Sequence, residues 1–98
     1  MEHKILLVDD DRDLLEMLCS IFRRAGYTEL VTASSGQEAL QVWREQQPEL
    51  IVLDVMMPGM DGFEVLREIR RTSHVPVLML TARGEAEDRI EEIGRAHV

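Results

Sequence analysis

Lysine and cysteine are nearly absent from this chain, and its basic residues are too few to balance its acidic ones. The single cysteine, Cys19, cannot form a disulfide within the chain, and no spacing of Cys and His residues is typical of a zinc site. Lys4 is the only lysine. Nineteen acidic residues against eleven basic ones give a formal net charge of −8. This balance disfavours direct binding of the chain to nucleic acid or to an anionic membrane.

Long apolar runs are also lacking, since no stretch approaches the length of a membrane span. The first four residues lead directly into a short apolar segment and do not have the pattern of a signal peptide. We therefore expect a soluble cytoplasmic protein. Its 98 residues suffice for one small domain, and a composition of 45% hydrophobic and 31% charged residues is typical of a globular chain.

Short apolar segments alternate along the chain with longer amphipathic ones. The predicted strands cover residues 5–8, 30–33, 50–53 and 75–80. Predicted helices follow them: one with apolar residues between 14 and 22, two that open at Ser35 and Asp61, and a short polar one over 85–93. Strands that are apolar throughout are buried on both faces. The pattern therefore predicts an α/β fold with a parallel sheet between layers of helices.

Polar residues follow three of these strands. Asp9, Asp10 and Asp11 come after the first strand, Asp54 after the third and Thr81 after the fourth. One acid is enough to cap the first helix, and Asp11, or Asp10 in part, suits that role. Ligands of open α/β sheets bind beyond the carboxyl ends of the strands, where converging carboxylates repel unless a cation shares them. Mg²⁺ fits such a site, and a carboxylate beside it can attack phosphorus to form an aspartyl phosphate.

Three segments carry a resemblance to a known family: KILLVDDD at 4–11, LIVLDVMMPGMDGFEVL at 50–66 and VPVLMLTARG at 75–84. In their order and spacing the chain resembles, from about residue 3 to residue 90, the receiver domain of bacterial two-component response regulators. The segment MLTARGEAEDRI at 79–90 is most similar to the OmpR/PhoB-type winged-helix subfamily. The resemblance implies a CheY/flavodoxin-like, doubly wound parallel sheet with strand order 2-1-3-4.

The resemblance also implies a role for each matching residue. Asp54 matches the phosphoacceptor, and Thr81 matches the hydroxyl that turns toward the phosphoryl group. Asp10 matches the direct Mg²⁺ ligand, and Asp9 matches the acid that usually acts through water. Met56 matches the position whose backbone carbonyl completes the metal shell.

Pro58 and Gly62 match residues that shape the loop beside the phosphoacceptor. The family also has a fifth strand and helix, with a lysine after that strand that contacts the phosphoryl group. Here Lys4 begins the first strand, and the tail EEIGRAHV does not match the usual continuation. We therefore expect residues 1–98 to form a receiver domain truncated before its fifth strand and helix, without an output domain. The exposed edge of the fourth strand predicts self-association by edge pairing or segment exchange.

The function that the resemblance implies is a switch rather than an enzyme. A sensor histidine kinase would donate a phosphoryl group to Asp54, and the only catalysis would be the chain's own phosphoryl transfer and autodephosphorylation. In the family the signal usually reaches a DNA-binding domain that controls transcription. One alternative is a non-phosphorylated module that docks to a kinase or to a partner receiver. The other is a small Mg²⁺-dependent phosphohydrolase, which Met56 disfavours because such enzymes usually have an acid two residues after the nucleophile.

Overall fold

The structure is a computed structural model that describes residues 3–81 and 89–92, with side chains from residue 3 to residue 80. Its elements follow one another as β1 (Lys4–Val8), α1 (Arg12–Arg24), β2 (Glu29–Ala33), α2 (Gly36–Gln46), β3 (Leu50–Asp54), α3 (Gly62–Arg70), β4 (Val77–Thr81) and β5 (Arg89–Glu92). None of the described helices has both the length and the apolar character needed to cross a membrane.

The first four strands form a parallel sheet in the order β2-β1-β3-β4, which confirms the predicted order. Val8 pairs with Leu53, and Asp54 pairs with Leu80. This register brings the carboxyl ends of β1, β3 and β4 to one edge of the sheet. It is the edge at which open α/β sheets bind their ligands.

Both faces of the sheet are covered, as apolar strands require. Alternate side chains of β1 and β3 enter different core clusters, because successive residues of a strand point to opposite faces. One cluster lies under α2 and α3 and includes Leu6, Val8, Ile51, Leu53, Ala39, Leu40, Val65 and Ile69. The other lies under α1 and includes Ile5, Leu7, Val52 and Leu15. The two clusters make the strand ends a rigid support for the residues that follow them.

Each described helix begins with a side-chain cap, and the caps lie at the residues that the sequence indicates. The carboxylate of Asp11 accepts hydrogen bonds from the backbone of the first turn of α1. Ser35 caps α2, although the carboxylate of Glu38 reaches the backbone N–H of Ser34 rather than that of Ser35. Asp61 forms a complete capping box with the third residue of α3. These caps satisfy N–H groups that would otherwise lack partners at the helix N-termini.

The last described segment differs from its prediction. The prediction of a helix over 85–93 is wrong for residues 89–92, which form the strand β5. This strand pairs antiparallel with β4, from Leu78 opposite Glu92 to Thr81 opposite Arg89. The outer edge of β4 offers unpaired backbone groups, whereas a short polar segment has little intrinsic tendency to form a helix. The fourth strand therefore does not have the exposed edge that we expected over these residues. A fifth parallel strand is not found among residues 3–81 and 89–92.

Candidate functional site

Three predicted carboxylates meet at the carboxyl edge of the sheet. Asp9 and Asp10 follow β1, and Asp54 is the last residue of β3, the strand beside it. One carboxylate oxygen from each residue lies within 4.8 Å of the other two. Residues separated by more than forty positions are thus joined only by the pairing of β1 with β3.

Asp9 is the buried member of this cluster, with 5% of its surface exposed. Its Oδ1 accepts a hydrogen bond of 2.9 Å from the backbone N–H of Asp11. Burial raises the pKa of Asp9 above its ordinary value, the hydrogen bond from Asp11 opposes that rise, and the negative charges of Asp10 and Asp11 add to it. A bound cation would offset both the cost of burying the Asp9 charge and its repulsion by the neighbouring carboxylates.

Asp54 is half-buried and is held by the segment that follows it. Its Oδ1 accepts a hydrogen bond of 3.2 Å from the backbone N–H of Met56. The N–H of Val55 donates to the carbonyl of Leu80 at 3.1 Å, so that sheet pairing continues one residue past the end of β3. Met56 is an exposed residue, with 56% of its surface accessible to solvent. The role predicted for its backbone carbonyl stays a prediction.

Gly62 brings the start of α3 against the end of β3. A β-carbon on Gly62 would lie 2.5 Å from the main-chain oxygen of Asp54 and 2.8 Å from the Cα of Val55. The N–H of Gly62 also donates to the carbonyl of Val55 at 3.0 Å. The loop between β3 and α3, residues 55–61, is therefore closed tightly at its base. Pro58 is exposed on this loop.

The backbone of Thr81 ends β4 at the same edge, one residue beyond the partner of Asp54. The direction of the Thr81 hydroxyl, and so its predicted contact with a phosphoryl group, lies outside the described residues. Lys4 lies at the opposite edge, where its Nζ donates to Oε1 of Gln46 at 3.0 Å. Four residue steps of about 3.3 Å place Lys4 roughly 13 Å from the carboxyl end of β1, too far to join the carboxylates.

Sequence reasoning did not include two residues near this edge. Asp61 lines a groove beside Asp10 and Met57, yet its position before α3 suggested only a helix cap. Gly36, the first residue of α2, lies against Met60 of the loop. In the sequence, Gly36 is notable only for its place directly after the capping serine. That place does not reveal a contact with Met60, more than twenty residues away.

The cluster of Asp9, Asp10 and Asp54 fits Mg²⁺ in both donor type and spacing. All three donors are carboxylate oxygens, the ligand type that hard dications prefer. In an octahedral shell with bonds of about 2.1 Å, opposite ligands lie roughly 4.2 Å apart. The observed limit of 4.8 Å lies slightly above that value, so small rotations of the exposed Asp10 and the half-buried Asp54 side chains would bring the oxygens to this spacing.

Both a family model and curated relatives match most of the chain. The family described as "Response regulator receiver domain" matches residues 5–97. The chain is 50% identical over 95 residues, 95% of its length and 39% of the relative's, to the "Probable transcriptional regulator ycf27" of Pyropia yezoensis. It is 52% identical over 87 residues, 89% of its length and 37% of the relative's, to the "Transcriptional regulatory protein CpxR homolog" of Haemophilus influenzae. The chain thus spans about two fifths of the length of these relatives.

A solved structure of a receiver protein has a fold similar to that of this chain. The N-terminal domain of a response regulator receiver protein from Methanoculleus marisnigri superimposes with a TM-score of 0.78 at 38% identity, covering 87% of this chain and 71% of that one. The relatives' names as transcriptional regulators agree with the resemblance to the OmpR/PhoB-type subfamily.

Proposed function

The chain belongs to the family of response regulator receiver domains, and we propose that Asp54 accepts a phosphoryl group from a sensor histidine kinase. The observation that carries this proposal is the meeting of the Asp9, Asp10 and Asp54 carboxylates within 4.8 Å at the carboxyl edge of the sheet. Receiver domains are signalling switches rather than classical enzymes. The chain's own phosphoryl transfer and autodephosphorylation belong to the proposal.

Asp54 is suited to the role of nucleophile. Its carboxylate is half-buried at the end of a buried strand, and the hydrogen bond from the N–H of Met56 orients it at the carboxyl edge of the sheet. Attack forms an Oδ–P bond, breaks the bond between phosphorus and the donor nitrogen, and leaves the electron pair on that nitrogen. Mg²⁺, held by Asp9, Asp10 and Asp54, would neutralise negative charge on the transferred group. The backbone carbonyl of Met56 completes this proposed set of ligands.

The neighbouring residues keep the carboxylates in position. Packing of β1 and β3 fixes the backbone from which Asp9 and Asp54 extend, and the N–H of Asp11 orients the Asp9 carboxylate. Preorganised groups do not have to reorganise when charge moves during the reaction. We propose that the hydroxyl of Thr81, at the end of β4, donates a hydrogen bond to a phosphoryl oxygen. Thr81 would thus change its contacts when Asp54 is phosphorylated.

The partner that we propose is a sensor histidine kinase, and we place the exchange in the cytoplasm. We also propose that residues 1–98 form a single receiver domain. Two of the chain's relatives are named as transcriptional regulators and are more than twice its length. Control of transcription is therefore proposed for a longer protein, in which this domain receives the signal.

The test is incubation with a small phosphodonor and Mg²⁺, followed by measurement of the intact mass. We expect a labile phosphoryl adduct on the wild-type chain and none on the Asp54→Asn variant. Asp13→Asn is the matched control, because Asp13 is an exposed aspartate in the first turn of α1, outside the carboxylate cluster. Absence of an adduct on a wild-type chain that binds Mg²⁺ would contradict the proposal and would favour a non-phosphorylated docking module.

A further inference from the structure

The first residue of α2 lies in close contact with the loop beside Asp54. A β-carbon on Gly36 would be 2.8 Å from the backbone oxygen of Met60, 2.9 Å from its Cβ and 3.0 Å from its Cγ. Two of these atoms belong to the backbone or are fixed to it, so a side-chain rotation cannot relieve the overlap. Any larger residue at position 36 must therefore displace the loop or the start of α2.

Lack of space is the reason for glycine at this position. Gly36 is not among the glycines with positive φ, which are Gly26 and Gly59 in the described part of the chain. Helix propensity also disfavours glycine, because alanine is the better residue within a helix. Neither backbone conformation nor propensity thus requires Gly36, whereas the approach of Met60 does.

Hydrogen bonds hold both ends of the loop 55–61. At its start, the N–H of Met56 is bonded to the Asp54 carboxylate. At its end, Asp61 caps α3, and the N–H of Gly62 closes the loop onto the carbonyl of Val55. Met60 lies between these anchors and is partly buried against the core under α2 and α3. A shift of Met60 therefore has little room, and a displacement of the loop would pass to the segment that carries Met56.

We propose that Gly36 is a positioning residue for the carboxylate site. By admitting Met60 against α2, it holds the loop 55–61 in the conformation that presents the N–H of Met56 to Asp54. The inference rests on the proposed function, since it takes Asp9, Asp10 and Asp54 to be the Mg²⁺ ligands. Coupling between two sites is reciprocal. We therefore expect binding of Mg²⁺ also to alter the environment of the first turn of α2.

The experiment compares Mg²⁺ affinity with folding stability in matched variants. Gly36→Ala should weaken Mg²⁺ binding about fivefold or more, the lower range of measured couplings between sites. Gln37→Ala, an exposed change in the same helical turn, should leave the affinity unchanged. Adding Met60→Gly to Gly36→Ala removes the Cβ and Cγ atoms in the overlap and should restore part of the affinity. Such non-additivity is what coupled neighbours show.

The outcomes separate this inference from the proposed function. If Gly36→Ala unfolds more readily but its folded form binds Mg²⁺ as the wild type does, the positioning role is overturned and the phosphoacceptor proposal stands. If the wild type does not bind Mg²⁺, the proposed function fails and this inference fails with it.

A second measurement needs no variant. In a Mg²⁺ titration of the wild type followed by NMR, the backbone amides of residues 36–38 should shift together with those of 54–62. Residues 44–46 at the far end of α2 should shift less. Constant amide signals at 36–38 would overturn the inference.

Discussion

The main-chain oxygen of Asp54 lies so near Gly62 that a β-carbon there would approach it to 2.5 Å. Gly62→Ala should therefore lower the free energy of unfolding by about 1–3 kcal/mol, the usual cost of overpacking. It should also weaken Mg²⁺ binding, because the obstructing atoms belong to the backbone that carries the Asp54 carboxylate. Urea denaturation and a Mg²⁺ titration measure the two effects.

Phe63→Ala is the control for that change. Phe63 is the next residue of α3 and is 49% exposed, so its truncation should leave Mg²⁺ affinity unaltered. Equal Mg²⁺ affinity in Gly62→Ala and the wild type would show that the close approach has no role at the site.

Without Mg²⁺, stability should fall as pH rises through the raised pKa of Asp9. Burial raises that pKa above the ordinary 3.8, so the folded chain binds this proton more tightly than the unfolded chain does. The contribution of Asp9 is therefore fully present below its ordinary pKa and is lost as the pH rises through the raised pKa of the folded state. Urea denaturation in a metal chelator, repeated across this pH range, measures the slope.

Asp9→Asn should remove the dependence of stability on pH that Asp9 causes. In metal-free buffer at neutral pH, this variant should be more stable than the wild type. Asparagine retains an oxygen that accepts the hydrogen bond from Asp11 while it removes one buried charge. Mg²⁺ should reverse the order, because a ligand at one hundred times its dissociation constant stabilises the folded state by about 2.7 kcal/mol. A metal-free Asp9→Asn variant less stable than the wild type at neutral pH would contradict the prediction.

Asp61→Ala should destabilise the chain by about 1 kcal/mol through loss of the helix cap. The carboxylate of Asp61 accepts from the N–H of Glu64 at 2.9 Å, and the Glu64 carboxylate accepts from the N–H of Asp61 at 3.0 Å. Asp61→Asn keeps a capping oxygen, so its loss of stability should be much smaller. Thermal unfolding compares the two variants, and equal losses would show that the charge of Asp61, rather than its cap, stabilises α3.

Self-association is predicted through exchange of β5 rather than through an open edge of β4. The described part of β5 is four residues long and pairs with β4 alone, so the same backbone bonds can form with the β4 of a second copy. Sedimentation at micromolar concentrations should show dimers or larger species. A single monomeric species across that range would refute the exchange.

The sequence predicted the parallel core because apolar runs such as the one in β1 and caps such as Asp61 are local signals. It also identified Asp9, Asp10 and Asp54 as candidates, since strand ends can be located from where apolar runs stop. It did not predict β5. The hydrogen-bond partners of that segment belong to β4, and pairing with an edge strand outweighs a weak local preference for helix.

The sequence by itself determined the order of the elements from β1 to β4, the acids at the strand ends and the family to which the chain belongs. These features depend on residue type and on spacing along the chain. Only the tertiary structure decided that the Asp54 carboxylate is bonded to the N–H of Met56, that Asp9 is the buried acid, and that Gly36 touches Met60. The physical reason is that burial and close approach depend on how separate elements pack, and spacing along the chain does not record those distances.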